Sequence, residues 1–286
     1  MDPSITAVIA IVILFVLLAL GLPIAFTMTL VGFIGLVMLL GFDAALSSIG
    51  MIPFSALLSY MLTVVPMFII MGQFAFESGI SDDIFDVSQK WLARLPGGLA
   101  CSTVVGCAIF AACTGSSLAC AATMGKIAIP EMEKKGYRPR LAAGCVAAAG
   151  TLGILIPPSI SAVLYASCTN ESVVKLLMAG VIPGMVSAIM LMIMIVMMAK
   201  FIPGTAPPSD YFTWKERFRS LKNIWAIIVI FFAVMGSMYA GLATPTEAGA
   251  LGALATGILA LLKLKRKNWR KLWLACLETA RVTSMI

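Results

Sequence analysis

Long uncharged runs separated by short basic patches set the pattern of this chain. No Asp, Glu, Lys or Arg stands between Asp2 and Asp43, Asp43 and Glu77, Arg94 and Lys126, Arg140 and Glu171, Lys175 and Lys200, or Lys222 and Glu247. Most of these runs exceed the ~20 apolar residues with which a helix crosses a bilayer core of ~30 Å. They predict helices over roughly Ile5–Leu20 and Ile24–Leu40, separated by Gly21-Leu22-Pro23. A connector or interfacial helix over Phe42–Pro53 and a span over Phe54–Phe76, interrupted at Pro66, follow. Ile80–Arg94 has a different pattern. Ile84, Phe85, Val87 and Trp91 fit one helical face against Asp82, Asp83, Asp86 and Lys90, which predicts an amphipathic helix at the membrane interface.

Leu95–Gly125 is uncharged throughout. As one straight helix it would run about 46 Å, too long for the bilayer core unless strongly tilted. Thr114-Gly115-Ser116-Ser117 offers a break in its middle. Lys90 and Arg94 precede the run, and Lys126, Lys134, Lys135, Arg138 and Arg140 follow it. Basic flanks mark the cytoplasmic side, so both ends belong there. The expectation is a re-entrant helical hairpin with its tip at Thr114–Ser117.

In Leu141–Cys168 the run Gly153-Ile154-Leu155-Ile156-Pro157-Pro158-Ser159 predicts a discontinuous helix, because two prolines remove two backbone donors. Leu176–Ala199 then returns to the cytoplasm, its methionines facing lipid or packing. Pro203–Pro208 is a loop and Trp214–Lys222 a basic amphipathic segment. Asn223–Ala240 crosses outward, and Gly249–Leu262 returns to Lys263-Leu264-Lys265-Arg266-Lys267. The fold class is all-α and polytopic. Its expected parts are 1–79 (N-terminal helices and connector), 80–170 (amphipathic helix, hairpin and broken helix), 171–222 (return helix and loop) and 223–286. Gly241-Leu242-Ala243-Thr244-Pro245 echoes Gly21-Leu22-Pro23 with the opposite expected orientation, so 223–286 reads as the start of an inverted repeat whose second hairpin and broken helix lie beyond it. On this reading residues 1–286 alone do not transport.

Composition narrows the function classes. The chain has 286 residues, 61% hydrophobic and 12% charged, with mean hydropathy +1.04, against about 25% charged in soluble domains. The net charge of +7 lies in short loops, a positive-inside pattern and not a nucleic-acid footprint. Met1-Asp2-Pro3-Ser4 lacks the basic start of a cleavable signal peptide. There is no histidine, so Ser-His-Asp and Cys-His catalysis cannot be assembled from this chain. Glu247 is the one acid expected deep in an apolar run, which leaves a two-carboxylate enzyme site without support. Cys101, Cys107, Cys113 and Cys120 share one apolar run without a CxxC pair, and read as small packing residues.

Broken helices in hydrocarbon expose backbone groups that cost several kcal/mol each unless protein, water or a ligand satisfies them. Two breaks side by side would offer oxygens to a small hard cation and helix N-termini to an anion. Thr114, Ser116 and Ser117 carry hydroxyls, and Gly115 permits the turn. Gly153, Ile154, Leu155 and Ile156 carry carbonyls freed by Pro157 and Pro158, with Ser159 following. Either motif alone also reads as a plain kink or a serine contact between helices. The two together favour a site.

Thr114–Ser117, Ile129-Pro130-Glu131-Met132 with Gly136-Tyr137, and Gly153–Ser159 resemble the large membrane subunit of tripartite ATP-independent periplasmic (TRAP) transporters, the DctM type. Leu95-Pro96-Gly97-Gly98 and Ala243-Thr244-Pro245-Thr246-Glu247-Ala248-Gly249-Ala250 fit the same family. Thr114 stands where the family commonly has Ser, which keeps the hydroxyl. The resemblance implies an elevator-type, sodium-driven permease in a bacterial or archaeal cytoplasmic membrane. A small organic anion such as a C4-dicarboxylate or sialic acid would come from a periplasmic binding protein, and a small membrane subunit would clamp the scaffold. It implies one sodium site at Ser116, Ser117 and Gly153–Pro157 beside the substrate, and no cofactor beyond the coupling ion. An inverted-repeat symporter or antiporter without a binding protein is the alternative.

Overall fold

The computed structural model describes residues 3–202, 204–207, 211–263 and 269–285, and among them every regular element is a helix. The basic residues expected at 265–267 and the ends of the 203–208 loop lie outside the described residues. The chain forms two compact units, Met1–Ser59 and Tyr60–Ile286.

The first unit holds α1 (Pro3–Ala19), α2 (Ile24–Leu40) and α3 (Phe42–Leu57), packed in sequence order. Apolar side chains stand outward on these helices, Phe15 at 65% exposure and Phe26 at 73%. Helices apolar all round suit a lipid surround. The connector expected over Phe42–Pro53 is a helix that runs on to Leu57, so the span expected over Phe54–Phe76 starts later and runs over Tyr60–Glu77. The chain breaks at 58–59 and not at Pro66. Pro66 lies in the first turn of the next α-helix, where its missing N–H would have had no intrahelical partner.

The second unit opens with a 3₁₀ turn (Tyr60–Thr63). It continues with α4 (Val64–Glu77), α5 (Ile80–Leu92), α6 (Gly98–Thr114), α7 (Ser117–Lys134), α8 (Pro139–Gly150), α9 (Leu152–Leu155) and α10 (Ile160–Thr169). It closes with α11 (Val173–Phe201), α12 (Trp214–Tyr239), α13 (Pro245–Lys263) and α14 (Trp269–Met285). Among the described residues three helical segments can cross a bilayer by length and composition, or up to five if each bent pair counts as one span. The chain is a multi-pass membrane protein.

Helix α6 is buried on nearly every side because Ala100, Ser102, Gly106 and Ala111 let neighbours approach closely. Cysteines of the neighbouring helices pack against it: the Cys120 sulfur of α7 lies 3.4 Å from Cys107 O across the hairpin, and the Cys145 sulfur of α8 lies 3.2 Å from Ala100 O. The apolar face of α5, with Ile80, Ile84, Phe85 and Val87, is covered by α6 and α12. Met185, Met190 and Met197 of α11 stand outward at 58%, 66% and 52% exposure.

Segments expected at the cytoplasmic face come together. Lys263 pairs with Asp83, Lys271 lies 3.8 Å from Glu77, and the Arg94 guanidinium sits 5.6 Å from the Trp214 ring. The amphipathic Trp214–Lys222 and the span after it form one helix, α12, bent by 53° between Trp214–Trp225 and Ile227–Tyr239. Glu247 is not deep in its run. It is exposed in the first turn of α13, where its carboxylate accepts from Thr244 N–H at 2.8 Å while Thr244 Oγ1 accepts from Glu247 N–H at 3.3 Å. That capping box, with Pro245 at the first position, starts the helix four residues before the expected Gly249.

Candidate functional site

The hairpin is antiparallel and closed at its base, where Leu99 N–H donates to the Tyr137 hydroxyl at 3.2 Å. At its tip α6 ends on Gly115, whose φ of +62° is the left-handed region that glycine enters without a Cβ penalty. Ser116 is extended (φ −127°, ψ 123°) and caps α7, its Oγ accepting from Ala119 N–H at 3.4 Å. Thr114 is buried and its hydroxyl donates to Phe110 O at 3.2 Å. Ser117 is the first residue of α7.

The second break uses different residues and reaches the same end. Helix α9 stops at Leu155, and the helices on either side of the break bend by 41°. In a continuous helix the carbonyls of Gly153 and Ile154 would accept from the N–H groups of residues 157 and 158, but both are prolines without an N–H. Ser159 is extended (φ −120°, ψ 122°) and caps α10, its Oγ accepting from Ala162 N–H at 3.3 Å.

The two breaks touch through their backbones. Ile160 N–H donates to Gly115 O at 3.2 Å, which joins the start of α10 to the end of α6. A Cβ at Gly115 would lie 2.5 Å from Pro158 O, and one at Gly153 would lie 2.8 Å from Ser116 O. Neighbouring helices close on the pair through further glycines. A Cβ at Gly72 of α4 would lie 2.8 Å from Thr114 Cα, and one at Gly180 of α11 would lie 2.4 Å from Leu155 O. Hence all eleven residues singled out in the sequence, Thr114–Ser117 and Gly153–Ser159, fall at one locus in the fold.

This locus places two helix C-termini, of α6 and α9, beside two helix N-termini, of α7 and α10. Carbonyls at C-termini attract cations, and N–H groups at N-termini attract anions. The hydroxyls divide between two spaces. Thr114 and Ser116 line a cavity of about 450 Å³ with Gln73, Thr123, Lys126 and Glu278. Ser159 lines another, of about 280 Å³, with Ile154, Leu155 and Tyr165. Gln73, Lys126 and Glu278 were not legible as cavity residues in the sequence, since only the packing of α4 against α6 and of α14 against α4 brings them together. The capping role of Ser116 was legible in principle, as a serine just after a glycine that ends a helix.

A profile of the family described as "Tripartite ATP-independent periplasmic transporter, DctM component" matches residues 11–286. The chain is 36% identical over 257 residues to the C4-dicarboxylate TRAP transporter large permease protein DctM of Vibrio cholerae, covering 88% of this chain and 56% of that protein. It is 30% identical over 270 residues to the 2,3-diketo-L-gulonate TRAP transporter large permease protein YiaN of Escherichia coli (94% and 62%). It is 30% identical over 229 residues to the sialic acid TRAP transporter permease protein SiaT of Haemophilus influenzae (80% and 37%). The chain thus spans about half the length of the curated relatives it matches.

Proposed function

The chain belongs to the DctM family of tripartite ATP-independent periplasmic transporters, and from that premise we propose that it acts in a sodium-driven permease importing a small organic anion. Relatives bear the names of transporter permeases and not of enzymes. A periplasmic binding protein delivers the anion and a small membrane subunit completes the permease in the bacterial or archaeal cytoplasmic membrane. The substrate is a C4-dicarboxylate, a sialic acid or a similar acid, as in the names of the relatives.

The observation that carries this reading is the backbone contact between the two breaks, sealed by Ile160 N–H to Gly115 O. Two interrupted helices held together at their interruptions are expensive in a membrane, and a bound ion is what makes the expense useful. Sodium takes oxygens of the Ser116–Ser117 tip and the carbonyls of Gly153 and Ile154, whose helical donors the two prolines remove. The anion lies on the side of the helix N-termini. Moving the hairpin and the broken helix as one body carries both across the membrane.

The test is gradient-driven uptake into proteoliposomes containing the permease, the small subunit and a loaded binding protein. Ser116→Ala or Ser117→Ala should raise the sodium concentration for half-maximal uptake about tenfold, since one lost oxygen ligand is worth roughly 1–2 kcal/mol. Unchanged sodium dependence in both variants, at normal expression, would reduce the serines to packing.

A further inference from the structure

A second cavity, of about 370 Å³, opens between α8 and α11, away from the paired breaks. Its walls are apolar: Leu141 and Cys145 on α8, Leu191 and Met198 on α11, with Val104 of α6 also lining it. Arg138, Arg140 and Thr205 line it as well, and all three belong to the chain segments at the N-terminal end of α8 and just beyond the C-terminal end of α11. The groove is therefore apolar along its length and cationic at one end. The two walls are tied at that end, where Arg138 N–H donates to Thr205 O at 3.4 Å.

Its dimensions and polarity define the ligand. Along α8 the lining runs from Arg138 to Ala148, which at 1.5 Å per residue is about 15 Å. That is half of a ~30 Å hydrocarbon core, the depth of one leaflet. The cationic end adjoins Lys134 and Lys135, in the stretch whose charge marks the cytoplasmic side. The N-terminal end of α8 adds its partial positive charge there. A ligand with a phosphate at one end and one leaflet's depth of hydrocarbon behind it matches each feature. We propose that the α8–α11 groove is a binding site for one anionic phospholipid of the cytoplasmic leaflet, its phosphate on Arg138 and Arg140 and an acyl chain along Leu141, Cys145 and Met198. The site stands independently of the sodium reading.

The test uses the whole chain, purified from membranes and loaded from vesicles of equal phosphatidylglycerol and phosphatidylcholine, with retained lipid counted by native mass spectrometry. The wild type should retain phosphatidylglycerol about tenfold over phosphatidylcholine, as two arginines at a headgroup imply. The double variant Arg138→Gln/Arg140→Gln should lose that preference while still retaining lipid. Gly144→Leu should lose the retained lipid itself, because Gly144 lines the groove and a Cβ there meets nothing within 4 Å. Leucine also favours the helix over glycine, so misfolding does not explain a loss. Equal retention of the two lipids by the wild type, or an undiminished preference in the double glutamine variant, would overturn the proposal. So would unchanged retention by Gly144→Leu.

Discussion

At Gly115 and at Gly241 the chain leaves a helix through a glycine of left-handed backbone, φ +62° and +71°. Both close the preceding helix by hydrogen bonds back to it: Gly115 N–H to Ala111 O, Gly241 N–H to Met238 O and Leu242 N–H to Ser237 O. Their surroundings differ. A Cβ at Gly241 meets nothing within 4 Å, whereas one at Gly115 would sit 2.5 Å from Pro158 O. The first kind of break lets a chain change direction. The second brings two backbones into contact and holds polar groups of both at one point. Gly21 (φ +83°) is of the first kind and has the same bonds as Gly241, Gly21 N–H to Leu18 O and Leu22 N–H to Leu17 O. The likeness suits the inverted-repeat reading, but Gly136-Tyr137 closes α7 the same way, so this cap alone does not mark a repeat.

The comparison is sharpened most by an all-or-none measurement. If Gly115 serves a hairpin, the chain returns to the side it came from. With Cys168 and Cys276 replaced by serine, single cysteines at Lys90 and at Lys135 should both react with an impermeant thiol reagent only from the cytoplasmic side. The closed base at Leu99 and Tyr137 puts both ends on one side, and the basic flanks make that side the cytoplasm. Labelling from opposite sides would make Gly115 a kink in a plain span and would remove the distinction between the two kinds of break.

The next largest effect separates packing from backbone strain. Gly115→Ala meets both: about 1–2 kcal/mol for an alanine in left-handed backbone, and about 1–3 kcal/mol for forcing Pro158 O away. Gly153→Ala meets only the second, because its backbone is helical and its Cβ would lie 2.8 Å from Ser116 O. Alanine's helix preference offsets about 1 kcal/mol of that. The expected order of destabilisation is Gly115→Ala above Gly153→Ala, read by thermal unfolding in detergent. A gain in stability of about 1 kcal/mol in Gly153→Ala, the helix preference with no collision against it, would mean that the breaks are not pressed together.

Both breaks were legible in the sequence because covalent chemistry dictates them. A glycine between helical runs invites left-handed backbone, and Pro157-Pro158 cannot donate. That Gly115 bonds Ile160 was not legible, because the partners lie far apart in sequence and local pattern carries no record of their meeting. Gly72, Gly180 and Gly184 were missed for the same reason: each looks like an ordinary helix glycine until the neighbouring helix is seen against it. Misplaced boundaries had local causes that hydropathy obscures. By hydropathy Phe54–Leu57 suits the following span, although α3 continues through it. The start of α13 lies four residues before the expected Gly249 because Thr244-Pro245-Thr246-Glu247 is a capping box, a signal that hydropathy does not carry.

The smallest expected effect is the control for the rest. Gly241 lies in the same compact unit as Gly115 and has nearly the same φ, so Gly241→Ala carries the backbone strain without the collision. Against about 1–2 kcal/mol of strain, alanine restricts the unfolded chain and returns about 0.4–1 kcal/mol. The net loss should be about 1 kcal/mol, and Gly241→Asn should lose still less, since asparagine tolerates left-handed backbone. Subtracting Gly241→Ala from Gly115→Ala removes the shared strain and leaves the contact between the breaks, expected at about 1–3 kcal/mol. Sodium dependence of uptake should follow the same division, altered in Gly115→Ala and unchanged in Gly241→Ala. A shift of equal size in both variants would mean that the property resides in the left-handed glycine and not in the meeting of the two backbones.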